Sequence, residues 1–258
     1  MVEASARRFA DRRGTPIMPA VAEIRVASSG GFKAAYLALV PAFESTTGCK
    51  VRTEWGSSLG NAPTSIPSRL QRGEPLDLVI LSGDALDGLM QEGRIVAGSR
   101  VDLARSGIGV AVRAGAARPD IGSVGAFKRA LRQARSIAHS SSASGVYLES
   151  LLQRLGLAAE LAPKIRKVEG EPVGQVVARG EAEIGFQQVS ELLPVAGIDY
   201  VGPLPAEIQE ITVFAAGIPV GAPHPEAARA LVEFLTSPAA AAIIGTCGME
   251  QVRSAQYG

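Results

Sequence analysis

EIRVASSGGFKAAYLALVPAFESTTG, residues 23–48, is the stretch on which the fold turns. Its first six residues, EIRVAS, read as a short strand. From the glycines onward, Phe32, Tyr36, Leu39 and Phe43 recur at spacings of three and four. That spacing gathers them on one face of a helix, which Gly48 closes. Between the two elements lies a turn of small residues, Ser28, Ser29, Gly30 and Gly31. Strand, small-residue turn and helix together make the repeating unit of an α/β protein.

The same alternation continues outward. CKVRTEWGSS reads as a second strand running into a Gly-Ser turn, and NAPTSIPS (61–68) carries two prolines that interrupt regular structure. A short helix over SRLQRGE leads to the buried strand LDLVILS and then to the helix DALDGLMQEGR, with Asp84 as its cap. SGIGVAVRAG is the next strand, followed by a basic amphipathic helix over 124–135. ARSIAHSS is a strand and GVYLESLLQRLGL a helix. KIRKVE, VGQVVARGE and AEIGFQQ give strand, helix, strand; IDYVGPLP and ITVFAAGIP add two more strands. PEAARALVEFLTSPAAAAIIGTCG reads as a single closing helix. Strands alternating with helices of about ten residues predict a three-layer α/β fold with mainly parallel sheets.

Composition narrows the function. The 258 residues suffice for one large domain or two smaller lobes. Twenty-six basic side chains against 25 acidic ones give a net charge of +1, and aromatics are 5%, so neither a nucleic-acid footprint nor a base-stacking platform is indicated. Cys49 and Cys247 stand far apart, and His139 and His224 are the only histidines. That set offers no metal centre, no cofactor is indicated, and the cysteines read as free thiols. No stretch has the length or purity of a membrane span. Residues 1–22 read as a flexible tail, with Met18 as a candidate start. The pairs Arg7–Arg8 and Arg12–Arg13 resemble a twin-arginine export signal, but IMPAVA is too short and too broken an apolar stretch to complete one. The expected compartment is therefore the cytoplasm, or the periplasm if a leader has been removed.

Three strand-to-helix turns share one chemistry: ASSGGF (27–32), WGSSLG (55–60) and HSSSASGVY (139–147). Each offers hydroxyls and free backbone amides at the carboxyl end of a strand, where open α/β sheets place ligands. None matches a phosphate loop of the GxxxxGK[ST] or GxGxxG kind. Together they indicate a shared site for a small anion, with Ser28, Ser29, Gly30, Gly31, Gly56, Ser57, Ser58, Ser142, Ser144 and Gly145 as its candidate binding residues.

The order of these pieces, with RLQRGEPLDLVILSGDALDGLMQEGRI, ASGVYLESLLQRLG, EPVGQVVARGEAEIGF and PEAARALVEFLTSPAAAAII, resembles the molybdate-binding branch of the type II periplasmic-binding-protein superfamily over roughly residues 24–250. The resemblance implies two lobes joined by crossing strands: 23–106 with 208–258, and 107–207, each a mainly parallel sheet flanked by helices. It also implies a cleft between them, a monomer, and the C-terminal helix returning to the first lobe, where a Cys49–Cys247 pairing is conceivable. In that branch five segments hold an oxyanion. They map onto Gly31, the Gly56–Ser57–Ser58 turn, Ser144, Val173 and, at the family's tyrosine position, Gln188. Two side-chain ligands are thus changed, and an insertion near Gly60–Pro67 flanks the second turn, which does not suit a tight tetrahedral socket.

The branch also contains aconitate isomerase-like enzymes, which shift a double bond in a polycarboxylate by proton transfer. That reading needs a base, for which His139 and Glu54 are the candidates. Lys33, Arg69 and Tyr147 are further cleft candidates, and His224 reads as a surface turn residue. Three functions follow: an isomerase of a small unsaturated carboxylate, the molybdate, tungstate or other oxyanion component of an ABC importer with a permease partner, or a non-catalytic sensor or carrier.

Overall fold

The computed structural model describes residues 23–252, so the tail expected over 1–22 lies outside the described residues. Strand β1 (Glu23–Ser28) enters a 3₁₀ turn (Gly30–Phe32) and helix α1 (Lys33–Thr47), which ends on Gly48 at φ 75°. Pro41 lies inside α1. An interior proline costs about 3 kcal/mol, whereas burying Tyr36, Leu39, Val40 and Phe43 contributes about 1.5–3 kcal/mol each, so packing wins. Then come β2 (Lys50–Trp55), α2 (Ile66–Gln71), β3 (Leu78–Ser82) and α3 (Gly83–Gln91). Strand β4 (Val101–Arg113) precedes α4 (Val124–Gln133), β5 (Ile137–Ser140), α5 (Ala143–Arg154) and α6 (Ala158–Leu161). Beyond them lie β6 (Ile165–Val168), α7 (Val173–Ala178), β7 (Ile184–Gln188), α8 (Val189–Leu192) and β8 (Ile198–Pro203). The described chain closes with β9 (Ile211–Gly217), α9 (Pro225–Leu235), α10 (Pro238–Thr246) and β10 (Glu250–Gln251).

The fold is two-lobed α/β. In one lobe β2, β1 and β3 are parallel, and β9 and the first half of β4 continue the sheet antiparallel. In the other, β6, β5 and β7 are parallel, and the second half of β4 pairs with β7 and β8. Strand β4 changes partner between Gly107, which faces Ile211, and Ile108, which faces Gln188. Alternation along the strands sends Val26 and Ile80 into the layer under α1, α9 and α10, while Ala27, Val79 and Leu81 face α2 and α3. The second lobe is likewise filled on both faces, by two separate apolar clusters.

Short elements α6, α8 and β10 have no counterpart in the sequence reading, and three others differ from it. Helix α3 is capped at Ser82, not Asp84, because β3 runs straight into it; Asp84 sits in the first turn, where the helix dipole favours a carboxylate. Strand β4 begins at Val101 rather than Ser106: Arg100, Asp102 and Arg105 disguise its first half, but Leu103 and Ala104 are fully buried. The closing helix is two, bent by 66° at Ser237–Pro238, since proline disfavours helical backbone in the residue before it. No single described helix is long and apolar enough to cross a membrane.

Candidate functional site

The carboxyl ends of β1 and β2 bring the first two small-residue turns together, and the third lies at the end of β5 in the second lobe. In the first lobe Ser28 stands beside both Trp55 and Ile80. The Ser29 amide donates to the Ile80 carbonyl at 2.8 Å, and its buried hydroxyl has no hydrogen-bond partner. Leaving such a group unpaired costs about 1–3 kcal/mol, which a ligand oxygen would recover. Ser28 Oγ reaches only the Ser29 carbonyl, at 3.4 Å. At Gly31 a Cβ would meet the Phe214 ring at 2.0 Å. Phe214 therefore occupies the space that a side chain at this position would need.

The second turn abuts the first through Gly56 N–H to the Ser28 carbonyl, 3.1 Å. A Cβ on Gly56 would lie 2.1 Å from the Thr64 carbonyl oxygen, so the segment around 60–67 folds down upon it. Ser57 Oγ donates to the Leu59 carbonyl at 2.6 Å, and Ser58 Oγ accepts from Ser82 N–H at 3.0 Å. Both hydroxyls shape the turn. Lys33 carries the positive charge here, its ammonium 4.9 Å from the centre of the Trp55 ring.

In the second lobe Ser140 is a hub, its hydroxyl 2.8 Å from that of Ser142 and 3.0 Å from that of Ser144. Only glycine fits at 145, where a Cβ would sit 1.6 Å from the Ser140 carbonyl oxygen; this lets α5 start directly above β5. Val173 N–H donates to Gln187 Oε1 at 2.9 Å, and Gln187 Nε2 donates to Glu191 Oε1 at 3.0 Å. Glu191, on the one-turn helix α8, was not singled out by the sequence. A Cβ on Gly30 would lie 2.6 Å from Glu191 Oε1, and Ser190 Oγ donates to the Gly31 carbonyl at 2.7 Å. Helix α8 thus brings a carboxyl to the first turn of the opposite lobe. Burial raises that carboxyl to about 7, against the opposing hydrogen bonds of Gln187 and the Gln188 backbone.

The two candidate bases are each engaged by neighbours. The 1%-exposed His139 places Nδ1 2.9 Å from the Ser140 carbonyl and Nε2 3.6 Å from Glu149, itself paired with Lys167. The ring lies against the start of α5, Nδ1 being 2.7 Å from where a Cβ on Gly145 would sit. Glu54 lies 3.4–3.7 Å from Arg25, Arg52 and Arg69. Gln188 is turned to the crossing strands, with its amide nitrogen 3.1 Å from the Ser106 and Gly107 carbonyls and its oxygen accepting from Thr212 at 2.7 Å. Tyr147 donates to the Ile208 carbonyl, and Arg69 is engaged by Glu54, Glu74 and Thr64. Backbone and ring nitrogens of His224 face Asp77. Both cysteines are free, packed in or against the core of the first lobe. Among the described residues no group of three or more His, Cys, Asp or Glu is arranged to hold a metal. A groove of about 490 Å³ between Arg118–Gly122 and Val201–Pro205 shares no residue with the turns.

Residues 24–250 match the family described as bacterial extracellular solute-binding protein. The chain is 46% identical over 241 residues to an aconitate isomerase from a Pseudomonas species, covering 92% of each. It is 32% identical over 239 residues to the molybdate-binding protein ModA of Azotobacter vinelandii, covering 88% of this chain and 89% of that one. In three dimensions it superposes on the periplasmic molybdate-binding protein of Azotobacter vinelandii with a TM-score of 0.72 at 23% identity, covering 90% and 99% of the two chains.

Proposed function

The chain belongs to the bacterial extracellular solute-binding protein family, and on that premise we propose that its interlobe cleft takes a small unsaturated polycarboxylate and shifts the double bond by proton transfer. The observation that carries this reading is the redirection of donors. Val173 N–H is bonded to Gln187, Gln188 is bonded to the crossing strands, and Gly31 has given its side-chain space to Phe214. Of three positions that resemblance assigns to an oxyanion, the Val173 amide and the Gln188 side chain are thus engaged elsewhere, and Gly31 brings no side-chain donor. What remains is the Ser29 hydroxyl, the serine hub and turn amides, enough for carboxylate oxygens spaced along a carbon chain. The 46% identity to an aconitate isomerase, against 32% to a molybdate-binding protein, supports the same choice.

The test is direct. Ultraviolet absorbance of cis- or trans-aconitate, followed after adding protein, is expected to drift toward a common equilibrium value. In a thermal-shift panel the aconitates and citrate should raise the melting temperature more than molybdate, tungstate or sulfate do. A large molybdate shift without turnover would sink the isomerase in favour of an importer's binding component. Aconitate binding without turnover would leave a carrier or sensor. The family's description points outside the cytoplasm, and fractionation of the host decides the compartment.

A further inference from the structure

Resting on the isomerase reading, we propose that Glu191 is the group that moves the proton, with Gln187 holding its carboxyl in place. Three acids or bases compete for the role. His139 has both ring nitrogens facing partners, the Ser140 carbonyl and Glu149, and Glu54 is surrounded by three guanidinium groups. Glu191 alone stands at the seam between the lobes, with Oε1 against the exposed Gly30, the residue that follows Ser29 and its buried, unpartnered hydroxyl. Its orientation is imposed through a chain. Val173 N–H takes Gln187 Oε1, so the amide nitrogen must face the carboxyl. The neighbouring Ser190 is itself tied to the Gly31 carbonyl.

A site built only to hold anions gains nothing from a carboxylate, because like charges repel. A site that moves protons needs one whose two forms are both populated, and burial holds Glu191 near neutrality. The step balances without a co-reactant. Glu191 takes a proton from the saturated carbon beside the double bond, and the C–H electron pair spreads over the three-carbon unit and its carboxylate. The Ser29 hydroxyl and turn amides stabilise that charge. Glu191 then returns the proton to the far carbon, the double bond has moved one position, and the carboxylate is restored.

The experiment compares wild type, Glu191→Gln, Glu191→Asp and His139→Ala, with trans-aconitate in H₂O and D₂O. Wild type should interconvert the aconitates and exchange their C–H hydrogen with solvent. Glu191→Gln should lose about 10²–10⁴-fold in kcat while keeping the ligand-induced thermal shift. Glu191→Asp withdraws the carboxyl by one methylene, and should lose about 10²-fold if the glutamine variant proves unstable. Turnover surviving within threefold in both, or lost in His139→Ala instead, overturns the assignment. A wild type that neither converts nor exchanges aconitate defeats the isomerase reading itself, a result separable from the variants.

Discussion

Gln187 and Gln188 are neighbours with opposite fates. One couples the α7 amide to Glu191; the other braces the crossing strands. In IGFQQ nothing distinguishes them, because the face each takes depends on which side of β7 meets α7. The hydroxyl-rich turns were legible, since a serine or glycine after a strand declares itself locally. Glu191 was not, because the Gly30 turn it meets is distant in sequence. Glu191 carries a further expectation. Its carboxyl titrates at about 7 in the folded protein against an ordinary 4.5, a preference for the protonated form worth about 3 kcal/mol. That contribution is fully present below pH about 4.5 and is lost as pH rises toward about 7, because the unfolded chain gives up its proton first. Urea titrations at pH 5 and pH 8 should therefore show wild type losing stability relative to Glu191→Gln at the higher pH. Parallel values for the two proteins would mean that the carboxyl is not desolvated.

At the scale of elements, periodicity placed most strands and helices, and errors arose where tertiary contacts override a local signal. The first half of β4 carries two charged residues, Asp102 and Arg105, yet Arg105 finds Glu250 on the strand that pairs with it. The apolar run from Pro225 to Cys247 hid a corner. Ser237 accepts from Ala240 N–H at 3.3 Å and Pro238 occupies the first turn, so α10 starts afresh and folds back to place Ala240 and Ile244 in the core beside α1. The corner makes Ser237 a true cap rather than an interior helical serine. Ser237→Ala should cost about 1 kcal/mol, seen as a lower urea midpoint with unchanged slope. A midpoint equal to that of wild type would indicate that α9 and α10 behave as one helix.

For the whole molecule the question is what holds the lobes together besides the crossing strands. Helix α8 is the contact: Ser190 Oγ donates to the Gly31 carbonyl, Glu191 touches Gly30, and Leu193 and Val189 lie against Gly248 near the end of the described chain. Ser190 is 1% exposed, so this bond forms away from solvent and only when the lobes are apposed. A hydrogen bond of this kind contributes about 1 kcal/mol, and a ligand that binds only the apposed form inherits any change in that form's population. Ser190→Ala removes the donor while leaving the Ser29 hydroxyl and the serine hub of the second lobe intact. Affinity for whichever anion raises the melting temperature should fall about fivefold, the equivalent of 1 kcal/mol, in calorimetric titration. Small-angle scattering of the free protein should show a larger radius of gyration than wild type, and saturating anion should bring the two back together. Equal affinity and equal radius in the variant would place the lobe-holding contact elsewhere, with the apolar packing of Leu193 and Val189 on Gly248 next in line.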